Sequence, residues 1–386
     1  MKKFSEIMMI IFIGALILFM ASPLIFIFLL SGAFHLIGPI AGLAISILLL
    51  FIFSKLEIYK KPNGKKQAAV IIVFCLLVGS SFAIPHYYKE SFAEVDDAGV
   101  DIYDYAPFTG SKKLARLEEP PAFKIEKDVP KLDGATALFP LYAAFSEAVY
   151  SDEPWQLEPY NELVVSYTTP EAYNRLINGE VDLIFAAGPS FGQEREAESA
   201  GAKLELTPIG REAFVFFVNS RNKINGLSSE EVRSIYSGNT TNWQELGGKN
   251  DDIRAFQRPA DSGSQTTFIK FMKDTPIQEP EIEEMASGMG GIISEVASYR
   301  NYKNAIGYTF RFYSTEMVRN DKIKLLAIDG VEPTVETIRS GEYPLTSEFY
   351  AITAGTENPN VQPFIEWILS EEGQELVEKT GYVSVK

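Results

Sequence analysis

The sequence predicts an α/β domain that is preceded by three transmembrane helices. Helical and strand-like patterns alternate from about residue 131 to residue 386, which is typical of an α/β fold with a mainly parallel sheet. Three apolar stretches lie earlier, at about residues 7–30, 36–53 and 68–84. Each is near the ~20 residues that cross the hydrocarbon core of a bilayer. Residues 1–90 are therefore predicted to be a membrane anchor.

The first apolar stretch also has to be weighed against a cleaved signal peptide. Its apolar run is longer than the ~7–15 residues of a signal peptide, and no small-x-small cleavage site follows it. We therefore interpret this stretch as a retained helix. Residues 91–130 contain four prolines among mixed charges and are predicted to be a linker.

Lysine placement predicts the orientation of the three helices. Lys2 and Lys3 precede the first helix, and five lysines lie between residues 55 and 66, after the second helix. The loop at residues 31–35 has no lysine or arginine, and residues 94–104 carry five acidic side chains. Because positive loops stay in the cytoplasm, we expect a multi-pass protein of the cell membrane. Its N-terminus would be cytoplasmic and its large domain extracytoplasmic.

Charge and composition exclude several functions for the large domain. Residues 1–90 carry a net charge of +5, which leaves −21 for the rest of a chain whose total is −16. This acidic balance argues against a nucleic-acid partner. His35, Cys75 and His86 all lie before residue 90, so the large domain lacks the side chains of Ser-His-Asp or Cys-His catalysis and of most zinc sites. We expect a binding protein without a cofactor or metal, and not an enzyme.

The elements of the large domain are predicted from periodicity and capping. A proline in the first turn marks the helix from residue 170, and Ser228 with Glu230 and Glu231 marks the start of another helix. Helices are predicted over residues 141–149, 170–177, 228–236, 266–273 and 360–379. Strands are predicted over residues 162–167, 181–187 and 214–219.

Two segments suit the binding of a small anion. Residues 133–141 run directly into a helix, whose free N–H groups and dipole attract negative charge, and Thr136 adds a hydroxyl. Residues 258–268 also enter a helix. Here Gly263 permits close backbone approach, and Arg258 offers a fork that suits a tetrahedral oxyanion. Alone, each segment also fits an ordinary helix cap or a flexible loop. Together they favour an anion site between two lobes.

Five segments carry a family resemblance. Gly-Ala-Thr-Ala-Leu-Phe-Pro-Leu at residues 134–141 resembles the first phosphate loop of the phosphate-binding proteins of ABC importers, and Arg258 with Ser-Gly-Ser at 262–264 resembles their second. Residues 226–248, Ala-Ile-Gly-Tyr at 305–308 and residues 368–383 are also similar to that family. The resemblance covers about residues 132–386.

The resemblance implies a two-lobed type II periplasmic-binding-protein fold that binds inorganic phosphate for ABC-type uptake. Lobe I would comprise about residues 131–215 and 348–386, and lobe II about residues 216–347, with crossover strands near 214–218 and 345–353. Phosphate or a related oxyanion would be the ligand, and ABC permease subunits or a membrane sensor would be partners. The implied ligand residues are Thr136, Ala137, Leu138, Thr169, Arg258, Asp261, Ser262, Gly263 and Ser264.

One departure concerns selectivity. Where relatives carry a Ser and often an Asp, this chain has Ala186 and Ala187. In relatives that Asp accepts the proton of hydrogen phosphate, which sulfate lacks. Asp261 in the second loop and Glu212 near the first crossover are the candidate replacements, and we expect Asp261 to take the role. Phosphate would then stay preferred, by a narrower margin.

The sequence also fits two other functions. The same fold with a membrane anchor would suit an oxyanion sensor or an accessory envelope protein. A remote alternative is a serine acyltransferase, because Ser-Arg-Asn-Lys at 220–223, Ser-Gly-Asn at 237–239 and Lys-Thr-Gly at 379–381 reproduce its three motifs in order. However, Asn225 and Gly226 interrupt the helix that the first motif should open.

Overall fold

A computed structural model describes most of the chain. It covers residues 2–30, 36–84, 94–95, 102–151, 163–280, 299–300, 303–318 and 322–385. The chain forms two compact units, Met1–Phe92 and Ala93–Lys386. Three predicted segments lie wholly or partly outside the described residues. They are the loop at 31–35, the linker at residues 91–93 and 96–101, and the strand at Glu162.

The secondary structure of the described residues alternates as the sequence predicts. The α-helices are α1 (Lys2–Leu30), α2 (Ile37–Lys55), α3 (Gly64–Ser81), α4 (Phe139–Val149), α5 (Thr169–Ile177), α6 (Phe191–Ala200), α7 (Ser229–Tyr236), α8 (Gly263–Met272), α9 (Val335–Ser340), α10 (Val361–Ile368) and α11 (Glu371–Thr380). The strands are β1 (Glu94–Val95), β2 (Leu132–Gly134), β3 (Leu183–Ala186), β4 (Glu205–Asn219), β5 (Gly226–Leu227), β6 (Arg254–Ala255), β7 (Tyr299–Arg300), β8 (Ala305–Phe310), β9 (Ile323–Leu325), β10 (Ala327–Ile328) and β11 (Thr346–Thr353).

The three predicted membrane segments are all helical. Among the described residues, α2 and α3 are long and apolar enough to cross a membrane, and the described apolar part of α1 is Phe12–Phe28. Helices α2 and α3 approach closely through glycines, since a Cβ on Gly42 would lie 2.9 Å from the carbonyl oxygen of Cys75 and 3.1 Å from the Cα of Gly79. Contacts between small residues are the usual packing mode of helices in lipid.

The second unit is built on one mixed sheet. Its strands lie in the order β2-β3-β11-β4-β8-β6, and β9 also pairs with β4. The pairs β2–β3 and β6–β8 are parallel, whereas β11 and β4 are antiparallel to each other and to their other neighbours. The prediction of a mainly parallel sheet is therefore wrong. The reason is that β11 and β4, the two neighbouring strands in the middle of the sheet, run in opposite directions.

Two large hydrophobic cores lie on the two halves of this sheet, and a smaller third cluster includes Tyr173, Ile184 and Ile352. The first core includes Leu132, Phe145, Phe185, Ile209, Phe349 and Trp367. The second core includes Ala213, Phe216, Tyr236, Phe268 and Tyr308. Strand β4 passes from the first core at Ile209 to the second at Ala213. The apolar side chains of β4 between residues 209 and 218 are all buried. Strand β4 is therefore a continuous buried connection between the two cores.

The described part of the predicted linker packs onto the first core. Tyr105, Leu114 and Ile125 are buried members of it. The N–H of Ile125 donates a hydrogen bond to the carbonyl of Val149, 2.8 Å away. Residues 102–130 are therefore ordered against the domain, and a fragment meant to fold needs them.

Two predicted elements differ from the structure. The strand at 162–167 is reduced to one bridge between Leu132 and Val164, because the N–H of Tyr167 donates to the Asp133 carboxylate, 3.1 Å away, instead of to a neighbouring strand. The helix at 360–379 is two helices, α10 and α11. Its chain turns at Leu369, and the Ser370 hydroxyl caps α11 by accepting the N–H of Gly373.

Candidate binding site

A cavity of about 430 Å³ lies where β4 passes between the two cores. Its walls come from segments on both halves of the sheet. Residues 135–138 lie beside the first core, and residues 168–170 begin the helix whose buried face belongs to the smaller cluster. Residues 258–260 and 262–264 precede and begin the helix that packs in the second core. These are the two predicted anion segments and the predicted Thr169. The fold thus brings together residues that lie more than a hundred positions apart in the sequence.

The first wall is the start of α4. Strand β2 ends at Gly134, where a Cβ would lie 2.4 Å from the carbonyl oxygen of Phe185, so only glycine lets β2 run this close to β3. A 3₁₀ turn over Thr136–Leu138 then leads directly into α4. The N–H groups of Leu138 and Phe139 donate within this turn, to the carbonyls of Ala135 and Thr136, and Pro140 has no N–H. The donors that this wall offers are therefore the N–H groups of Thr136 and Ala137, at the positive end of the helix dipole.

The second wall is the start of α5. The hydroxyl of Thr168 caps this helix by accepting the N–H of Glu171, and Pro170 occupies its first turn. Thr168, Thr169 and Pro170 all line the cavity.

A buried ion pair fixes the first two walls to each other. The Asp133 carboxylate accepts from Arg175 Nη1 at 2.6 Å, from the N–H of Gly134 at 2.7 Å and from the N–H of Tyr167 at 3.1 Å. Asp133 is fully buried and Arg175 is 6% exposed. Asp133 precedes the first wall and Tyr167 precedes the second, so one carboxylate holds both loops in register.

The third wall is the start of α8. The Ser262 hydroxyl caps this helix by accepting the N–H of Gln265, 3.3 Å away. A Cβ on Gly263 would lie 3.4 Å from Thr169 Oγ1 and 3.7 Å from the Cβ of Ala187. The start of α8 therefore lies close to the start of α5.

Arg258 supplies a positive charge to the same cavity. Its N–H donates to Gln265 Oε1 at 3.0 Å and to the Tyr308 hydroxyl at 3.2 Å. The Tyr308 ring stacks on Phe268 with centroids 4.4 Å apart. The backbone that carries Arg258 is thus anchored in the second core, and its guanidinium shares the cavity with three helix starts.

Asp261 does not line the cavity. Its carboxylate accepts from the Ser190 hydroxyl at 2.6 Å, and its carbonyl accepts from Gln193 Nε2 at 3.3 Å. The backbone of Asp261 has a φ of 62°, a left-handed conformation that favours glycine, asparagine and aspartate. Unlike the other predicted ligand residues, Asp261 contacts Ser190, the residue that caps α6. It joins the two cores beside the cavity.

Glu212 on β4 does line the cavity. One carboxylate oxygen accepts the N–H of Ala213 at 2.8 Å, and the other accepts the N–H of Phe312 at 3.0 Å. Glu212 is only 5% exposed. Burial raises the pKa of its carboxyl to about 7, although these two N–H groups and the charge of Arg311 favour the ionised form. The sequence offered Glu212 only as the second candidate acceptor.

Other residues of the cavity were not among the predicted ligand residues, although some lie in the predicted crossover at 345–353 or in the family-like segment at 368–383. They come from β8, β11 and the segments after β8 and α11, and they are Thr309, Phe310, Tyr313, Ser347, Glu348, Phe349 and Tyr382. Ala187 also lines the cavity, whereas Ala186 is fully buried outside it. Only the pairing of strands places these side chains at the site, so reading the sequence locally could not find them.

The three acyltransferase-like motifs do not meet. Residues 220–223 follow β4, residues 237–239 follow α7, and residues 379–381 end α11. The Lys379 ammonium pairs with Glu375 at 2.6 Å and donates to the carbonyl of Arg116. None of these residues lines the cavity, so they form no catalytic arrangement there.

One protein-family model covers more than half of the chain. A model of the PBP superfamily domain matches residues 130–372. The phosphate-binding protein PstS of Bacillus subtilis is 28% identical over 258 residues, which cover 66% of this chain and 80% of that protein. The protein of the same name from Borreliella burgdorferi is 26% identical over 217 residues, which cover 54% and 76%. The crystal structure of an ABC-type phosphate transport receptor from Vibrio cholerae is 18% identical, covers 66% of this chain and 99% of that one, and has a TM-score of 0.46.

Proposed function

Because the chain belongs to the PBP superfamily, we propose that its cavity binds inorganic phosphate for uptake by an ABC-type transporter. The observation that carries this proposal is the convergence of three helix starts and Arg258 on one cavity. A doubly charged oxyanion is stabilised by such N–H groups and dipoles and by a guanidinium fork. The binding residues would be Thr136, Ala137, Leu138, Thr169, Arg258, Ser262, Gly263 and Ser264.

Two further arguments favour phosphate among small oxyanions. The relatives that match this part of the chain are named as phosphate-binding proteins. The cavity also contains the buried side chain of Glu212. Its ionised carboxylate can accept a hydrogen bond from hydrogen phosphate, whereas it repels an anion that carries no proton. The two cores would be the two lobes of the binding protein, with β4 and β11 as the crossover strands.

Equilibrium titration of the full-length chain in detergent tests the proposal. We expect calorimetry to show a single phosphate bound per chain, with weaker binding of sulfate and molybdate. A folded chain that gives no heat with any of the three anions would contradict the proposal. The presence of permease and ATPase genes beside this gene would favour transport, whereas their absence would favour an anchored phosphate sensor, for which the same cavity and helices would serve.

The binding domain is proposed to lie outside the cytoplasm, anchored by α1, α2 and α3. The lysine asymmetry supports this orientation, because the basic loop between α2 and α3 would remain in the cytoplasm. Protease added to spheroplasts should therefore digest the domain that follows residue 92, while a cytoplasmic marker stays intact. A domain that is fully protected until the membrane is permeabilised would reverse the orientation.

A further inference from the structure

We propose that Glu212 distinguishes hydrogen phosphate from sulfate in this cavity, by accepting the hydroxyl hydrogen of the bound anion. The inference rests on the proposed function and adds a specificity residue to it. It concerns a position outside the two loops that the family resemblance singles out.

The position of Glu212 carries the inference. The residue lies on β4 between Ile209 of the first core and Phe214 of the second, beside Ser347 of β11. It lines the cavity and is 5% exposed. The N–H groups of Ala213 and Phe312 hold one carboxylate oxygen each. The carboxylate therefore has a fixed orientation, and each oxygen keeps further capacity to accept a hydrogen bond.

The other carboxylates near the cavity are engaged or open to water. Asp261 accepts the Ser190 hydroxyl outside the cavity wall. Glu348 lines the cavity, but its carboxylate is exposed and accepts from the Tyr350 hydroxyl at 3.2 Å. Ala187 has no acceptor in its side chain. Among the described residues that line the cavity, Glu212 is thus the buried carboxylate.

The surroundings of Glu212 let it change charge near neutral pH. Arg311 favours its ionised form, Glu316 and burial oppose it, and the pKa of the carboxyl is about 7. Burial and the charge of Glu212 also raise the pKa of the Tyr382 hydroxyl, so that group stays protonated. The other charged residues that line the cavity with Glu212 are Arg258 and Glu348. The neighbouring Arg211 donates to the carbonyl of Val385 instead.

These features make sulfate a sensitive probe. Sulfate stays fully deprotonated in this pH range, so it offers only acceptors and is repelled by ionised Glu212. Protonated Glu212 can instead donate a hydrogen bond to it. Sulfate binding and proton binding should therefore favour each other. We expect sulfate affinity to be nearly constant below the carboxyl pKa and to fall by up to about tenfold per pH unit above it.

The experiment compares three full-length proteins by calorimetry with phosphate and sulfate between pH 5.5 and 8.5. They are the wild type, Glu212→Gln and Asp261→Asn. At pH 8 the wild type should prefer phosphate. Glu212→Gln should lower the phosphate-to-sulfate ratio by at least about tenfold, because it removes the negative charge that repels sulfate and adds an amide donor that sulfate can accept. The matched Asp261→Asn change removes a carboxylate just outside the wall and should leave that ratio unchanged.

The outcomes separate the inference from the proposed function. A wild type that binds phosphate while Glu212→Gln keeps the full ratio would overturn the inference and leave phosphate binding standing. If Glu212→Gln does not fold, the wild-type sulfate profile decides. A sulfate affinity that does not rise toward pH 5.5 would overturn the inference. A folded wild type that binds neither anion would overturn the proposed function itself.

Discussion

Replacing Arg258 by alanine is expected to weaken phosphate binding by about 10²-fold or more, because a guanidinium–oxyanion pair in a closed cavity contributes a few kcal/mol. Arg258 adds a full positive charge to the cavity that three helix starts line. Titration of the full-length variant with phosphate measures the loss. Arg258→Lys should recover only part of the affinity, since an ammonium cannot make two parallel hydrogen bonds.

Arg254 on β6 offers a matched control for Arg258. It lies four positions earlier, carries the same side chain and does not line the cavity. Arg254→Ala should therefore leave phosphate affinity within about twofold of the wild type, since its guanidinium lies 5.6 Å from the centre of the Phe256 ring and not in the cavity lining. A folded Arg258→Ala protein with unchanged affinity would remove Arg258 from the site.

Replacing Arg175 by leucine is expected to lower the free energy of unfolding of the binding domain by about 3–5 kcal/mol, because it leaves a buried carboxylate without its cation. Asp133 is fully buried, and its bond to Arg175 is 2.6 Å long. The Arg175 guanidinium also lies 4.7 Å from the centre of the Tyr167 ring. Phosphate affinity should fall as well, since Asp133 aligns the first two walls of the cavity.

Tryptophan fluorescence during denaturant unfolding measures this loss in the full-length chain. All three tryptophans follow residue 150, so the signal reports the binding domain and not the membrane helices. The control is Lys203→Leu, which removes an exposed partner of Glu205 and should change stability by about 1 kcal/mol or less. Equal effects of the two substitutions would show that the buried pair does not organise the domain.

Helix starts could be predicted from the sequence because they have local signals. Thr168, Ser228 and Ser262 each cap the helix that follows, and each lies within a segment where a helix start was predicted or an anion loop was recognised. Hydrogen bonds between residues three apart decide such caps, so neighbouring letters suffice to predict them. The start of α8 is nevertheless three residues earlier than the predicted residue 266, because Gly263 and Ser264 already belong to the helix.

The direction of strands and the breaks in helices were harder to predict. Nothing in the composition of β4 or β11 records that they run antiparallel, because strand direction is set by pairing with distant segments in the interior of a sheet. The break between α10 and α11 had a signal in Ser370, which precedes two glutamates and caps α11. The continuous amphipathic pattern across residues 360–379 obscured that cap.

The acceptor for the bound anion shows where sequence proximity misleads. Asp261 adjoins Ser262 and Gly263, so the sequence favours it over Glu212. Its left-handed backbone directs the carboxylate to Ser190 instead. Glu212 reaches the cavity only because β4 pairs with β11 and the chain returns past Phe312. A contact set by three distant segments has no local pattern to reveal it.

A crystal structure of residues 93–386 grown with phosphate would test the central claim most directly. We predict one phosphate inside the cavity, within hydrogen-bond distance of Arg258 and of N–H groups at the starts of α4 and α8. One oxygen should also lie within hydrogen-bond distance of Glu212. A phosphate bound elsewhere on the domain, with this cavity free of any anion, would contradict the account.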